Sequence, residues 1–130
     1  MTQRALVVGN SDGIGLATTR ALLGEGWDVV GISRSSSPVV ETNYTHHQAD
    51  VQDESYGAVL ASIASEGLDL CIYCVGIGEL LVADDMSAEP RIFRVNLMGL
   101  VRTTETVLPT MVKAGSGHFI GLSSIADELV

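Results

Sequence analysis

The residues with the most chemical content lie in Gly9-Asn10-Ser11-Asp12-Gly13-Ile14-Gly15, spaced G-x-x-x-G-x-G. The turn follows the apolar run Ala5-Leu6-Val7-Val8 and opens a segment with apolar residues at helical spacing. Glycines here let the backbone turn sharply and come within hydrogen-bonding distance of a pyrophosphate, where a Cβ would intrude. The helix behind the turn points its partially positive end at the same place. An ordinary strand-to-helix turn with incidental glycines is the alternative. The spacing is neither that of a P-loop nor the common G-x-G-x-x-G.

Other reactive side chains carry less. Cys71 and Cys74 have C-x-x-C spacing, but they lie in the strand-like run Leu68–Val75, where positions three apart face opposite ways. A redox pair is therefore not expected. His46 and His47 are neighbours on a polar strand and make a poor metal pair, and His118 stands alone. Glu79, Asp84 and Asp85 read as a solvated loop.

These groups need elements to hold them. Strands are expected at Arg4–Val8, Trp27–Ser33, Tyr44–Ala49, Leu68–Val75 and His118–Leu122. The third is polar enough to be a sheet edge. Helices are expected from Ile14 to Gly24, around Tyr56, Val59, Leu60 and Ile63 with Asp53 as N-cap, and from Pro90 onward. In the last, Phe93, Leu97, Leu100, Thr104 and Leu108 form one face, and Pro109 should kink or end it. The link between the second and third strands shows no helical pattern. Strands alternating with helices predict an α/β fold, a doubly wound parallel sheet in three α/β/α layers.

The 130 residues, 46% hydrophobic and 18% charged, suit one globular domain. A formal net charge of −9 disfavours nucleic acid as a partner. No apolar run reaches the ~18–20 residues that cross a bilayer. The N-terminus lacks signal-peptide features, so a cytoplasmic protein is expected.

Taken in order, the motifs resemble those of the classical short-chain dehydrogenases/reductases. Besides the glycine turn, Asp50-Val51 resembles the pair that contacts adenine in that family. Tyr73-Cys74-Val75-Gly76 stands where the family usually has Asn-Asn-Ala-Gly. Asn96, in Val95-Asn96-Leu97, stands at the catalytic asparagine, and Leu122-Ser123-Ser124-Ile125-Ala126 resembles the catalytic-serine segment. The resemblance implies a Rossmann-like sheet of order 3-2-1-4-5 and hydride transfer between a nicotinamide cofactor and a carbonyl or alcohol. It implies cofactor contacts from Gly9, Asn10, Ser11, Asp12, Gly13, Ile14, Gly15, Asp50, Val51, Cys74, Val75, Gly76 and Asn96. The catalytic residues it implies are Asn96, through its backbone carbonyl and a local helix kink, and by family register Ser124, which a one-residue slip would exchange for Ser123. It also implies a homo-oligomer paired through the long helix. Two departures stand out: Val8 replaces the usual threonine, and only Gly76 remains of the Asn-Asn-Ala-Gly block.

At the end of the second strand, Ser33-Arg34-Ser35 lacks the carboxylate that would take a ribose 2′-hydroxyl. A guanidinium suits a 2′-phosphate, and the serines add hydroxyl donors, so NADP(H) is expected over NAD(H). The family's general acid is a tyrosine with a lysine four residues on. Tyr44, Tyr56 and Tyr73 have no such lysine, and that pair is expected about a dozen residues beyond Ser124. The chain is thus expected to be the truncated N-terminal part of an enzyme, inactive alone. The alternative is a non-catalytic dinucleotide-binding or interaction module.

Overall fold

The computed structural model describes residues 2–124. Its centre is β1 (Arg4–Val8), where Ala5, Leu6, Val7 and Val8 are fully buried. An unbroken apolar run is what a strand covered on both faces requires. β1 pairs in parallel with β2 (Asp28–Ser33) on one side and β4 (Leu70–Tyr73) on the other. β3 (Tyr44–Gln48) flanks β2 and β5 (His118–Gly121) flanks β4, giving the order 3-2-1-4-5. This is the doubly wound sheet the sequence predicts, and the polar third strand is indeed an edge.

Helix α1 (Gly13–Gly24) lies against β1 and β2. On the other face α2 (Tyr56–Ser65) and α4 (Gly99–Ala114) pack together over Leu6, Val8, Val30, Ile32, Cys71 and Tyr73. Helices leaving β1 and β4 for opposite faces open a crevice between those strand ends. Residues 34–43, which join β2 to β3, carry no helix.

One local expectation is corrected and two gain detail. Asp53 is not the N-cap of α2. Ser55 holds that position without a side-chain bond, and Asp53 contributes its backbone carbonyl to the Tyr56 N–H. Pro109 does not end its helix, which runs on to Ala114 and stops at Gly115, φ +70°. A proline forfeits a single N–H donor, and the surrounding packing outweighs that loss. The apolar face of that helix is split: Phe93, Leu97 and Leu108 are exposed, whereas Leu100 and Thr104 are half-buried and Leu100 packs against the core. The buried stripe is Val95, Gly99, Thr103, Val107 and Met111. Close approach to β4 and α2 selects small residues there, and Thr103 meets the Tyr56 hydroxyl at 2.7 Å.

A short helix α3 (Glu89–Phe93), with Pro90 in its first turn, runs into a π-turn, Arg94–Met98, and on into α4. In the π-turn the Gly99 N–H bonds to the Arg94 carbonyl, so the Val95 carbonyl loses its α-helical donor. The Tyr73 hydroxyl replaces it at 2.5 Å. Tyr73→Phe should strand a buried carbonyl and cost about 1–3 kcal/mol, read as a lower urea midpoint.

Burial pushes the Cys71 thiol from 9.0 up to about 12, with Cys74 adding to the shift. Burial also raises Tyr56 and Tyr73. These groups stay protonated in the fold while the unfolded chain ionises at ordinary values. The Cys71 contribution is whole below pH 9.0 and is lost as pH climbs toward about 12. Urea denaturation from pH 8 upward should therefore show stability falling above about pH 9.

Candidate functional site

A cleft of about 240 Å³ opens at the C-terminal ends of β1, β2, β3 and β4. The glycine turn forms its floor. Gly9 has φ +83°, a conformation side chains disfavour, and a Cβ there would lie 2.8 Å from Val75 Cγ2. Its N–H bonds to the Ile32 carbonyl at 2.7 Å. Gly15, in the first turn of α1, sits so close that a Cβ would overlap the Gly9 carbonyl oxygen. Asp12 holds the N-cap position in extended conformation with no side-chain bond into the helix. The leading N–H groups of α1 are thus not capped by that carboxylate, as an anion-binding turn requires.

The cleft gathers most of the expected residues: Gly9, Ser11, Asp12, Ser33, Arg34, Ser35, Asp50, Val51, Cys74, Val75 and Gly76 all line it. Asp50 Oδ1 accepts from the Gln52 N–H at 2.9 Å, which sets the carboxylate just past β3. Val51 is buried, and Arg102 of α4 donates to its carbonyl at 2.6 Å and to that of Asp53 at 2.8 Å. Cys74 is half-buried, and its N–H bonds to the Val8 carbonyl at 2.8 Å.

Other expected residues stand apart from the cleft lining. Asn10 is fully buried and turned into the fold, Gly15 is packed beneath the turn, and Gly13 and Ile14 face outward. Asn96 sits in the middle of the π-turn, exposed, and its amide clamps one residue. Oδ1 accepts from the Ile77 N–H at 2.8 Å and Nδ2 donates to the Ile77 carbonyl at 2.7 Å. It thereby ties the segment after β4 to the long helix. Ser123 and Ser124 are exposed just beyond β5, outside the cleft lining. Ile125 and Ala126 lie outside the described residues.

Sequence reasoning missed Ile32, Ala49, Ile77, Arg91 and Val95, which also line the cleft. Arg91 reads in sequence as an ordinary helix cation. Only the fold of the segment after β4 carries it over the crevice. Among the described residues, neither Arg34 nor Arg91 makes an ion pair, whereas Arg4 pairs with Glu66 at 3.0 Å. The three tyrosines are engaged elsewhere: Tyr44 with Asn10 and His46, Tyr56 with Thr103, and Tyr73 with the Val95 carbonyl. Among the described residues no cluster of three or more metal-ligating side chains occurs, and no helix is long and apolar enough to cross a membrane.

A parallel sheet whose turn after β1 is opened for an anion, beside a strand-end crevice, is how dinucleotide-binding folds are built. The profile of the short chain dehydrogenase family matches residues 3–129. The chain belongs to that family. It is 31% identical to a probable NADP-dependent dehydrogenase of Haemophilus influenzae, over 96% of this chain and 54% of that protein. It is 33% identical to a short chain dehydrogenase of Penicillium brasilianum, over 94% of this chain and 51% of the relative. The ligand-free aldohexose dehydrogenase of Thermoplasma acidophilum superposes with a TM-score of 0.86 at 25% identity, covering 95% of this chain and 50% of that one. The chain spans about half the length of the curated relatives it matches. The family is one of nicotinamide-dependent oxidoreductases.

Gly9→Val would press a branched side chain into Val75 and the β1–β4 crevice. Nucleotide affinity, measured by fluorescence titration, should fall by roughly a hundredfold or more, since backbone approach to the pyrophosphate is lost.

Proposed function

We propose that this chain is the cofactor-holding part of an NADP(H)-dependent oxidoreductase that moves a hydride between nicotinamide and a small-molecule carbonyl or alcohol. The observation that carries the NADP(H) preference is Ser33-Arg34-Ser35 at the end of β2, lining the cleft with a guanidinium and no carboxylate. An exposed arginine with no ion pair among the described residues is free to meet a phosphate bidentately. Arg91 adds a second positive charge on the cleft wall. The Haemophilus influenzae relative, described as NADP-dependent, supports the same preference.

The roles of the other residues follow from their positions. The turn from Gly9 to Gly15 and the first N–H groups of α1 hold the pyrophosphate. Asp50 and Val51 border the adenine, and Cys74, Val75 and Gly76 meet the ribose through backbone atoms. When bound, the nicotinamide supplies the carbon that gives or accepts the hydride. Asn96 holds the Ile77 segment in place and offers its backbone carbonyl toward a proton path. Ser124 takes the substrate oxygen. The group that moves the proton lies outside Tyr44, Tyr56 and Tyr73, whose hydroxyls are engaged in the fold. The exposed stripe Phe93, Leu97, Val101, Leu108 and Val112 supports a homo-oligomer paired through α4. The protein works in the cytoplasm on a small-molecule substrate.

Arg34→Asp should weaken NADPH binding by about ten- to a hundredfold, the worth of a charge-assisted phosphate contact, and strengthen NADH binding. Unchanged preference in paired fluorescence titrations would overturn the NADP(H) assignment. NADPH binding without oxidation by any member of a panel of ketones, aldehydes and sugars would favour a dinucleotide-binding module instead.

A further inference from the structure

His46 and Tyr44 have no part in the function proposed above. In the fold they are links in a hydrogen-bond chain that joins the glycine turn to the turn carrying Arg34. Asn10, next to Gly9, is fully buried. Its Nδ2 donates to the Tyr44 hydroxyl at 2.8 Å and to Thr19 Oγ1 at 3.2 Å. Gly31 of β2 makes the room, because a Cβ there would overlap both the Asn10 amide and the Tyr44 hydroxyl. Tyr44 Oη lies 2.8 Å from His46 Nδ1. His46 Nε2 lies 2.9 Å from the Ser35 carbonyl oxygen and 3.1 Å from Ser33 Oγ.

The chain has one direction. Thr19 donates its own proton to the Gly15 carbonyl at 2.8 Å, so it accepts from Asn10. Asn10 therefore presents its amide nitrogen to both neighbours, and its Oδ1 is left buried without a partner. Tyr44 accepts from Asn10 and passes its own proton toward Nδ1, the bare imidazole nitrogen. At the far end a carbonyl oxygen only accepts, so Nε2 carries the hydrogen and donates to Ser35. Ser33 Oγ donates to the same Ser35 carbonyl at 2.6 Å. Two residues along β3, Gln48 Nε2 donates to the Arg34 carbonyl at 2.8 Å. Alternate residues of the edge strand thus hold successive carbonyls of the Arg34 turn.

We infer that His46, as its Nε2–H tautomer, is a specificity-determining positioning residue. Through Ser35 and Ser33 it holds the turn that presents Arg34 to the 2′-phosphate of the cofactor. This rests on Arg34 reading that phosphate. Without the imidazole the Ser35 carbonyl loses a donor and the Arg34 turn gains freedom. The loss falls on the phosphate-reading contact and spares the pyrophosphate contacts that NADPH and NADH share.

The test is fluorescence titration of NADPH and NADH against the purified protein and its His46→Leu, His46→Gln, Arg34→Ala and Arg34→Ala/His46→Leu variants, each checked for folding by circular dichroism. His46→Leu should weaken NADPH by about tenfold and leave NADH within about twofold. His46→Gln, which can keep an amide donor on Ser35, should recover most of the affinity. In the Arg34→Ala background the His46 change should add nothing, because its effect passes through Arg34. Selective loss of NADPH in Arg34→Ala without loss in His46→Leu overturns the inference and leaves the Arg34 assignment standing. So does equal weakening of both cofactors in His46→Leu, or no recovery with Gln. If Arg34→Ala leaves NADPH affinity unchanged, the Arg34 assignment fails and the inference falls with it.

Discussion

The site depends on how closely three pieces of backbone approach one another at the end of β1. The Gly9 carbonyl lies where a Gly15 side chain would be, and Val75, just past β4, lies where a Gly9 side chain would be. Neither contact tolerates a Cβ. This closeness seats the first turn of α1 directly behind the turn and lets β4 continue alongside β1. The crevice that results is walled by the ends of β2 and β3 on one side and by the segment after β4 on the other. With the contact opened, α1 would no longer aim its N–H groups into the cleft and the strand ends would lose their common rim.

The far wall is held differently. After Tyr73 the chain leaves the sheet, and the segment it enters is pinned to the long helix by side-chain bonds. Tyr73 fills the carbonyl vacated by the π-turn, and Asn96 takes both backbone groups of Ile77. The π-turn is what allows both. An unbroken α-helix would occupy the Val95 carbonyl and rotate Asn96 relative to the strand end. Helix irregularities of this kind commonly mark functional positions, and here the irregularity makes the wall of the cleft continuous with the core.

The near wall uses hydrogen bonds between side chains and turn carbonyls. Residues 34–43 carry no helix, and Arg34, Ser35 and Ser36 are exposed. Edge strand β3 holds the Arg34 turn through His46 and Gln48. A polar edge strand would otherwise be a surface exposed to non-specific pairing. Here two of its polar side chains, His46 and Gln48, meet the carbonyls of Ser35 and Arg34 instead.

The local code was sufficient for the order of elements, the parallel sheet and the glycine turn. Ala5–Val8 is too apolar for anything but a central strand, and G-x-x-x-G-x-G has few physical uses after such a strand. Sequence also pointed to Arg34, because a missing carboxylate at the end of β2 is visible without coordinates. It could not show which stripe of the long helix turns inward. Phe93, Leu97 and Leu108 outweigh Gly99 and Thr103 in hydrophobicity, yet the small residues are buried because the helix must come close to Tyr73 and Tyr56. Nor could it show that Asn10 turns inward, that Arg91 reaches the cleft, or that His46 touches the Arg34 turn. Periodicity assigns a residue to a face. Which partners meet across that face depends on residues far apart in the chain, and only the tertiary structure brings Asn10, Tyr44, His46 and Ser35 into line.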